Sequence, residues 1–374
     1  MKTVVSIVLV ACFFALITAC GQAETQGIFV ENNPDEADVQ EEADVQDEAD
    51  IQEDSASNDV DEVIENDLPL SPFGLHGYYA VNFIEHMNAY FYRRPPFTYR
   101  ELETALWIAD TLMEIGFDYD DIEIQSFHFD DVADRSFWSK ELLLMFELFG
   151  DREPRYYSQN VVLTIPGRSE QRIVLGAHYD TVHDVVGASD NASGVALLLE
   201  NAMRMRYVDN YYTLVYVFFG AEEIGLLGAY HYLDTLSQYE REQIHFMFNA
   251  DALFDGPYLV YLAGVYYDGR RTDSDLTLSW SALAREKYYS HGIELFTYHP
   301  GMYKWNTDHI VFFIAEIPVL YVAGLVREGD DSFGARVMHS ERDCADYINY
   351  AWPGKIEQNM WAFSLFLENV LIQK

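Results

Sequence analysis

Runs of consecutive apolar residues recur along the chain from about residue 120 onward, and longer amphipathic stretches lie between them. Continuously apolar runs are typical of strands that are covered by helices on both faces. Strands that alternate with helices indicate an α/β fold, and we predict a single domain with a mostly parallel mixed central sheet flanked by helices. The predicted strands are 122–127, 161–165, 173–177, 214–219, 246–249, 259–263 and 319–322, and the predicted helices are 98–115, 193–205, 227–236, 276–289 and 352–372.

The predicted helix at 98–115 carries start and stop signals. Thr98 is the expected N-cap, Glu101 would complete a capping box, and Gly116 would end the helix. An apolar stripe at helical spacing is expected to face the core. Its members are Leu102, Ala105, Leu106, Ala109, Leu112 and Met113.

The N-terminal residues follow another pattern. An apolar run at 4–17 is too short for a comfortable membrane-spanning helix and leads into Ala19-Cys20-Gly21. This end resembles the lipobox of bacterial lipoproteins, so residues 1–19 are a predicted signal peptide and Cys20 the acylated residue that meets the lipid bilayer. The alternative is an ordinary secretory leader cut near Ala23. Either reading places the protein outside the cytoplasm, and the first anchors it at the outer face of a bacterial cell membrane or at the cell surface.

Charge is concentrated between this leader and the apolar runs. The net charge is −39, and residues 24–67 hold eighteen acidic residues and no Lys or Arg. Such a stretch repels itself, so residues 20–68 are predicted to be a disordered acidic tether, and a specific binding role is the alternative. Residues 69–374 then form the folded domain. The charge argues against nucleic acid as a partner.

Two further features of the predicted domain are a segment that breaks the strand–helix alternation and the lack of cysteine pairs. Residues 128–158 fit the alternation poorly, and we expect an insertion there, a surface hairpin or short helix that covers the site as a lid. The cysteines are Cys12, Cys20 and Cys344, so no disulfide framework is available within the folded part.

Five segments place potential metal ligands after a strand or at a strand-to-helix turn. In α/β sheets, sites form at the carboxyl ends of the strands. Each segment alone has a plainer reading, as a structural histidine, a helix N-cap or a solvated acid. The candidate residues are His178 with Asp180, Asp190, Glu222 with Glu223, Asp251, and His339.

Charge supports combining the five segments. Three carboxylates and one hydroxide would balance two Zn²⁺ ions, and mixed nitrogen and oxygen ligands suit zinc, with manganese or cobalt as alternatives. Such a pair of ions polarises a carbonyl group and lowers the pKa of water. Glu222 would take the proton of that water and deliver it to the leaving amine.

The same segments resemble those of the co-catalytic di-zinc aminopeptidases, metallopeptidase family twenty-eight. The resemblance covers about residues 158–345. It includes Ser-Gln-Asn-Val at 158–161, Ile-Pro-Gly at 165–167, and the stretch from Thr-Asp-His at 307–309 to Ile-Pro at 317–318. It implies the zinc-exopeptidase fold of phosphorylase/hydrolase type.

The resemblance also implies roles. His178 and Asp251 would bind one zinc ion, Glu223 and His339 the other, and Asp190 would bridge them. Glu222 would be the general base. Asp180 is counted with Glu222 among the catalytic residues and could hold the second imidazole nitrogen of His178. Asp343 and Asp308 would support the ligands from behind, and the resemblance implies a cis peptide bond after Asp190. Relatives often have tyrosine before the last histidine; this chain has Met338, which has no donor for an oxyanion, and Tyr303 is one candidate substitute.

The expected function is zinc-dependent removal of N-terminal residues from peptides or proteins. A carboxypeptidase or other amidohydrolase is the alternative if Arg270 or Arg271 reaches the site to bind a substrate carboxylate. A single-zinc glutaminyl cyclase and a non-catalytic surface protein of the same fold are further alternatives. The oligomeric state stays open.

Overall fold

The computed structural model describes residues 75–132, 156–267, 270–272, 279, 282, 295–297, 307–328 and 333–372. These residues belong to one unit of the chain, Glu65–Lys374. The predicted signal peptide, the acidic tether, Tyr303 and nearly all of the predicted helix 276–289 lie outside the described residues.

Ten strands of the described residues form one mixed sheet. The four central strands run parallel in the order β4-β3-β5-β9, and the β1-β2 pair and β6 add antiparallel edges to them. The prediction of a mixed sheet is therefore confirmed, with its parallel part at the centre. The strands are β1 Ile122–His128, β2 Tyr157–Ile165, β3 Ser169–His178, β4 Tyr212–Phe219, β5 Ile244–Ala250, β6 Tyr258–Tyr267, β7 Arg270–Thr272, β8 Leu295–Thr297, β9 Val319–Arg327 and β10 Phe333–Gly334.

Helices cover both faces of the sheet. Alternate residues of β4 show this, because Leu214, Tyr216 and Phe218 join one buried cluster while Val215 and Val217 join another. The first cluster includes side chains of α1, α2, α4 and α9, and the second those of α5 and α7. The helices are α1 Tyr78–Tyr90, α2 Tyr99–Ile115, α3 Phe129–Val132, α4 Ser193–Met205, α5 Leu227–Thr235, α6 Gln238–Glu242, α7 His309–Ile314, α8 Ala345–Ala351 and α9 Lys355–Leu371.

Helix α2 begins and ends as predicted but turns a different face to the core. Thr98 accepts the N–H of Glu101, and Gly116 ends the helix in the left-handed conformation. The carboxylate of Glu101 reaches the N–H of Phe97 rather than that of Thr98, so the reciprocal half of the capping box is absent. Leu106 and Met113 are exposed, whereas Glu101, Thr104 and Ile108 are buried.

The irregular segment after β1 connects neighbouring strands. β1 and β2 pair antiparallel up to His128 and Tyr157, and the N–H of Phe129 donates to the carbonyl of Tyr156. The short helix α3 follows β1, and residues 133–155 lie outside the described residues. The lid role stays a prediction.

Buried polar contacts hold residues 75–80 against helix α4. Glu200 on α4 accepts the N–H groups of Gly77 and Ala80 at 2.6 and 2.9 Å. Its carboxylate also binds Arg204, whose guanidinium donates to the carbonyl of Leu75. Within the described part of the chain, no helix combines the length and apolar character that crossing a membrane requires.

Candidate metal centre

The sheet brings the strand-end residues together because β4, β3 and β5 are parallel neighbours. Parallel strands present their carboxyl ends at one edge. His178 closes β3, Glu222 and Glu223 follow β4, and Asp251 follows β5. These four residues therefore meet at the edge where the sequence predicts a site.

Asp190 lies between the two histidines. It precedes α4, and the peptide bond between Asp190 and Asn191 is cis, as the resemblance implied. One oxygen of Asp190 is 3.1 Å from Nε2 of His178, and the other is 3.2 Å from Nε2 of His339. The carboxylate thus faces both imidazoles, as a bridging ligand would.

Each histidine faces one further carboxylate. Nε2 of His178 is 3.3 Å from Oδ1 of Asp251, and Nε2 of His339 is 3.2 Å from Oε2 of Glu223. The five predicted ligands form two groups that share Asp190. Glu222 also offers an oxygen to the group of His178 and Asp251, with all three ligand atoms within 4.8 Å of one another.

The electrostatics of this cluster call for positive charge. Burial, together with the neighbouring Asp190, raises the pKa of Glu223 to about 7. Burial also raises the pKa of Glu222 well above its usual range, opposed by His178 and reinforced by Glu223. Burial alone would lower the pKa of His339, but Glu223 and Asp190 outweigh it and raise this pKa to about 12. Ionising these buried acids therefore requires positive charge nearby, which bound cations would supply.

The donor set fits zinc. Oδ1 of Asp251 is buried and has no hydrogen-bond donor among the described residues, although it faces His178. Imidazole nitrogens and carboxylate oxygens on both sides of a shared carboxylate are a ligand set that zinc accepts. His178, Asp190, Glu223, Asp251 and His339 are therefore the residues that would hold the metal.

Asp180 supports two parts of the site. Its backbone carbonyl lies 3.2 Å from Nδ1 of His178, so Nδ1–H can donate there and leave Nε2 free for a metal. Its two carboxylate oxygens accept the N–H groups of Glu222 and Glu223, both at 3.1 Å. The sequence predicts that this carboxylate holds the imidazole of His178. Its Oδ1 lies 3.6 Å from Nδ1 of His178, while its hydrogen bonds go to the backbone of the Glu222–Glu223 turn.

The other two predicted supporting residues differ from each other. Asp343 accepts the N–H groups of Ser189 and Asp190 at 2.6 and 3.0 Å. It thus holds the backbone of Asp190, the residue whose carboxylate faces both histidines. Asp308 is fully buried, and neither of its oxygens has a hydrogen-bond partner in the described part of the chain. Burial raises its pKa, and the negative charge of Asp251 adds to the effect.

Sequence reasoning missed the contacts that three buried charged residues make around the site. Asp255 accepts the N–H groups of residues 336, 337 and 338, directly before His339. Arg94 donates to the carbonyls of residues 91, 179, 186 and 187, and burial lowers its pKa to about 10. Glu101 contacts the turn after β4. Most of their partners are backbone groups far away in sequence, so no local motif marks their role at the site.

Comparison with known families and curated sequences gives consistent matches. The profile of "Peptidase family M28" matches residues 160–364. Aminopeptidase YwaD of Bacillus subtilis is 42% identical over 79 residues, which cover 21% of this chain and 17% of that protein. The probable lipoprotein aminopeptidase LpqL of Mycobacterium tuberculosis is 35% identical over 102 residues, covering 26% of this chain and 20% of that protein. The matched stretches thus span about a fifth of these relatives.

Solved structures share the fold over most of the chain. The zinc aminopeptidase BSAP from Bacillus subtilis superposes with a TM-score of 0.61 at 18% identity, covering 79% of this chain and 95% of that one. A glutaminyl cyclase from an Acidobacteriales bacterium reaches a TM-score of 0.58 at 19% identity, covering 81% and 97%. At this level of identity the likeness concerns the fold alone, and it does not separate the two chemistries.

Proposed function

The chain belongs to peptidase family M28, and from that premise we propose that it is a zinc-dependent aminopeptidase that removes residues from the N-termini of peptides. One observation carries the proposal: the two oxygens of Asp190 face Nε2 of His178 and Nε2 of His339, each at about hydrogen-bond distance. A single carboxylate between two imidazoles, each with a further carboxylate beside it, is a ligand arrangement for two cations. We therefore assign two zinc ions per chain.

Zinc at this site supplies polarisation of a peptide carbonyl and a lowered pKa for water. Glu222 supplies the proton transfer. Glu222 is only 8% exposed, and its carboxylate lies in the group of His178 and Asp251, where it could reach a water that bound zinc would activate. There it accepts a proton from the water and donates it to the leaving amine. Asp180 fixes the Glu222 backbone for this task.

The acidic side chains around the site determine which end of a peptide substrate binds there. Asp308 and Glu222 are both buried at the site, and bound zinc would favour their ionised forms, which add negative charge beyond the five ligands. A free α-ammonium group is attracted to such charge, whereas a substrate carboxylate is repelled. Arg94 is committed to four backbone carbonyls and is fully buried, so it does not offer a carboxylate site. This supports an aminopeptidase over a carboxypeptidase.

We also propose that the enzyme is anchored outside the cell. Cys20 would carry the lipid, residues 20–68 would act as the tether, and peptide or protein N-termini at the surface would be the substrates. The leader sequence supports this, and a lipoprotein aminopeptidase is among the relatives. Incorporation of labelled palmitate into the wild-type chain, and its loss in Cys20→Ser, would test the anchor.

The activity is tested with matched substrates. The purified protein should hydrolyse aminoacyl p-nitroanilides, should not hydrolyse their Nα-acetylated forms, and should lose activity to a chelator and regain it with zinc. Bound zinc near two per chain is expected. Cleavage of acetylated substrates at an equal rate would contradict an aminopeptidase, and cyclisation of N-terminal glutamine with one zinc per chain would establish the glutaminyl cyclase instead.

A further inference from the structure

A buried acid lies at the first turn of α2, outside the matched family region. Glu101 is fully buried, and residues 160–364 are the part that the family profile covers. Burying a carboxylate is unfavourable unless hydrogen-bond donors surround it. The contacts of Glu101 therefore indicate what the residue is for.

Three donors from three separate segments converge on this carboxylate. Oε1 accepts the N–H of Ala221 at 3.0 Å and the hydroxyl of Ser158 at 2.6 Å. Oε2 accepts the N–H of Phe97 at 2.7 Å. The first of these donors belongs to the turn after β4 that carries Glu222 and Glu223.

Ala221 needs such support. Its φ is +53°, in the left-handed region that residues with a Cβ atom rarely adopt. The next two N–H groups, of Glu222 and Glu223, bind the oxygens of Asp180. Two buried carboxylates thus hold three consecutive N–H groups. The backbone conformation they fix determines where the side chains of Glu222 and Glu223 point.

We propose that Glu101 is a positioning residue for catalysis, which holds the Ala221–Glu223 turn so that Glu222 and Glu223 face the metal centre. The proposal rests on the proposed function for its catalytic readout and on geometry alone for its structural readout. It assigns a role in the site to α2, a helix outside the region that the family profile matches. The plain alternative is that Glu101 only stabilises the start of α2 through Phe97.

The test compares Glu101→Gln with Glu200→Gln. Glu200 is the matched control, because it is also fully buried and also accepts two backbone N–H groups and a serine hydroxyl, from Gly77, Ala80 and Ser364. Hydrogen–deuterium exchange of the peptide containing residues 219–226 is measured on the zinc-loaded and the chelated protein. Kinetics on an aminoacyl p-nitroanilide and a melting temperature are measured on the same preparations.

We expect Glu101→Gln to speed amide exchange in the 219–226 peptide by about tenfold or more, and Glu200→Gln to leave that peptide unchanged. We expect kcat to fall by about 10- to 100-fold with KM within about threefold of wild type, since the base and a ligand are displaced rather than the substrate contacts. If Glu101→Gln does not fold, Ser158→Ala, which removes one of the three donors, should show the same changes at smaller size.

Unchanged exchange at 219–226 in the variant that folds would overturn the proposal. So would an increase spread evenly over all peptides, which would mean a purely structural role. If the wild-type chain proves inactive on every aminoacyl substrate, the proposed function fails, while the exchange comparison still decides whether Glu101 holds the turn.

Discussion

Asp180 offers a sharp test of how the site is held in place. The substitution Asp180→Asn keeps the size of the side chain but turns one oxygen into an NH2 group. Because each oxygen of Asp180 accepts one N–H, from Glu222 or Glu223, one of these N–H groups would then face a second donor. Asp180 is fully buried, so water is not available as a replacement.

The size of the effect follows from that lost contact. A hydrogen bond to a charged group contributes about 1.5–3 kcal/mol, and a buried donor left unpaired costs about 1–3 kcal/mol. With about 1.4 kcal/mol for each factor of ten, the loss corresponds to roughly 10- to 100-fold in an equilibrium constant. Removing a group that supports a metal ligand typically has an effect of about this size. We expect zinc affinity or kcat/KM to fall by this factor.

Zinc affinity is measured by competition with a chelator of known affinity, and kcat/KM on an aminoacyl p-nitroanilide. Asp184→Asn is the control. Asp184 lies four residues further along the chain, its side chain is 67% exposed, and its contact with Arg93 is a surface ion pair at 3.7 Å. Such pairs contribute about 0–1 kcal/mol, so the control should match wild type closely. A folded Asp180→Asn protein that matched this control in both measurements would refute the reasoning.

Four further outcomes are expected. Glu222→Gln should lower kcat by roughly 10²- to 10⁴-fold while zinc per chain stays the same, and full activity would exclude Glu222 as the base. Leu198→Ala, in the fully buried part of α4, should lower the free energy of unfolding by about 2–5 kcal/mol in urea titrations, with kcat of the folded enzyme unchanged. Met338→Tyr should raise kcat by about tenfold, since a hydroxyl donor near an oxyanion stabilises it; a lower kcat would count against that role. Burial lowers the pKa of His309 to about 3. Between about pH 6.5 and pH 3 the unfolded chain therefore binds more protons at this residue than the folded chain, and the free energy of unfolding should fall as the pH drops through this range. His309→Phe should flatten that part of a urea-stability profile, and an unaltered slope would contradict it.

The ends of the strands, and the candidate ligands that follow them, were the features that the sequence predicted best. Successive residues of an apolar strand such as β4 join two buried clusters in turn. Both faces of the strand are therefore apolar and buried. Three of the five predicted ligand residues, His178, Glu223 and Asp251, follow such runs, and the parallel order of β4, β3 and β5 brings these three together. Helix α4 was predicted with both of its ends, because most of its sequence is apolar, and twelve of its thirteen residues are buried.

Features that depend on distant partners could not be read in this way. The apolar stripe of α2 was wrong at Leu106 and Met113, since the inner face instead buries Glu101 and Thr104. Periodicity assigns burial by polarity, whereas Glu101 is buried because donors from three other segments surround it. Arg94 went unnoticed for the same reason, because its partners are backbone carbonyls.

The buried contacts of residues 75–80 have a consequence for the proposed anchoring at a surface. Glu200 accepts the N–H groups of Gly77 and Ala80, and Arg204 donates to the carbonyl of Leu75. Two buried charged side chains of α4 thus hold residues 75–80. A protease that cut the acidic stretch anywhere ahead of Leu75 would sever none of these contacts. Under the proposed anchoring, such a cut would release the domain with its buried contacts at residues 75–80 intact.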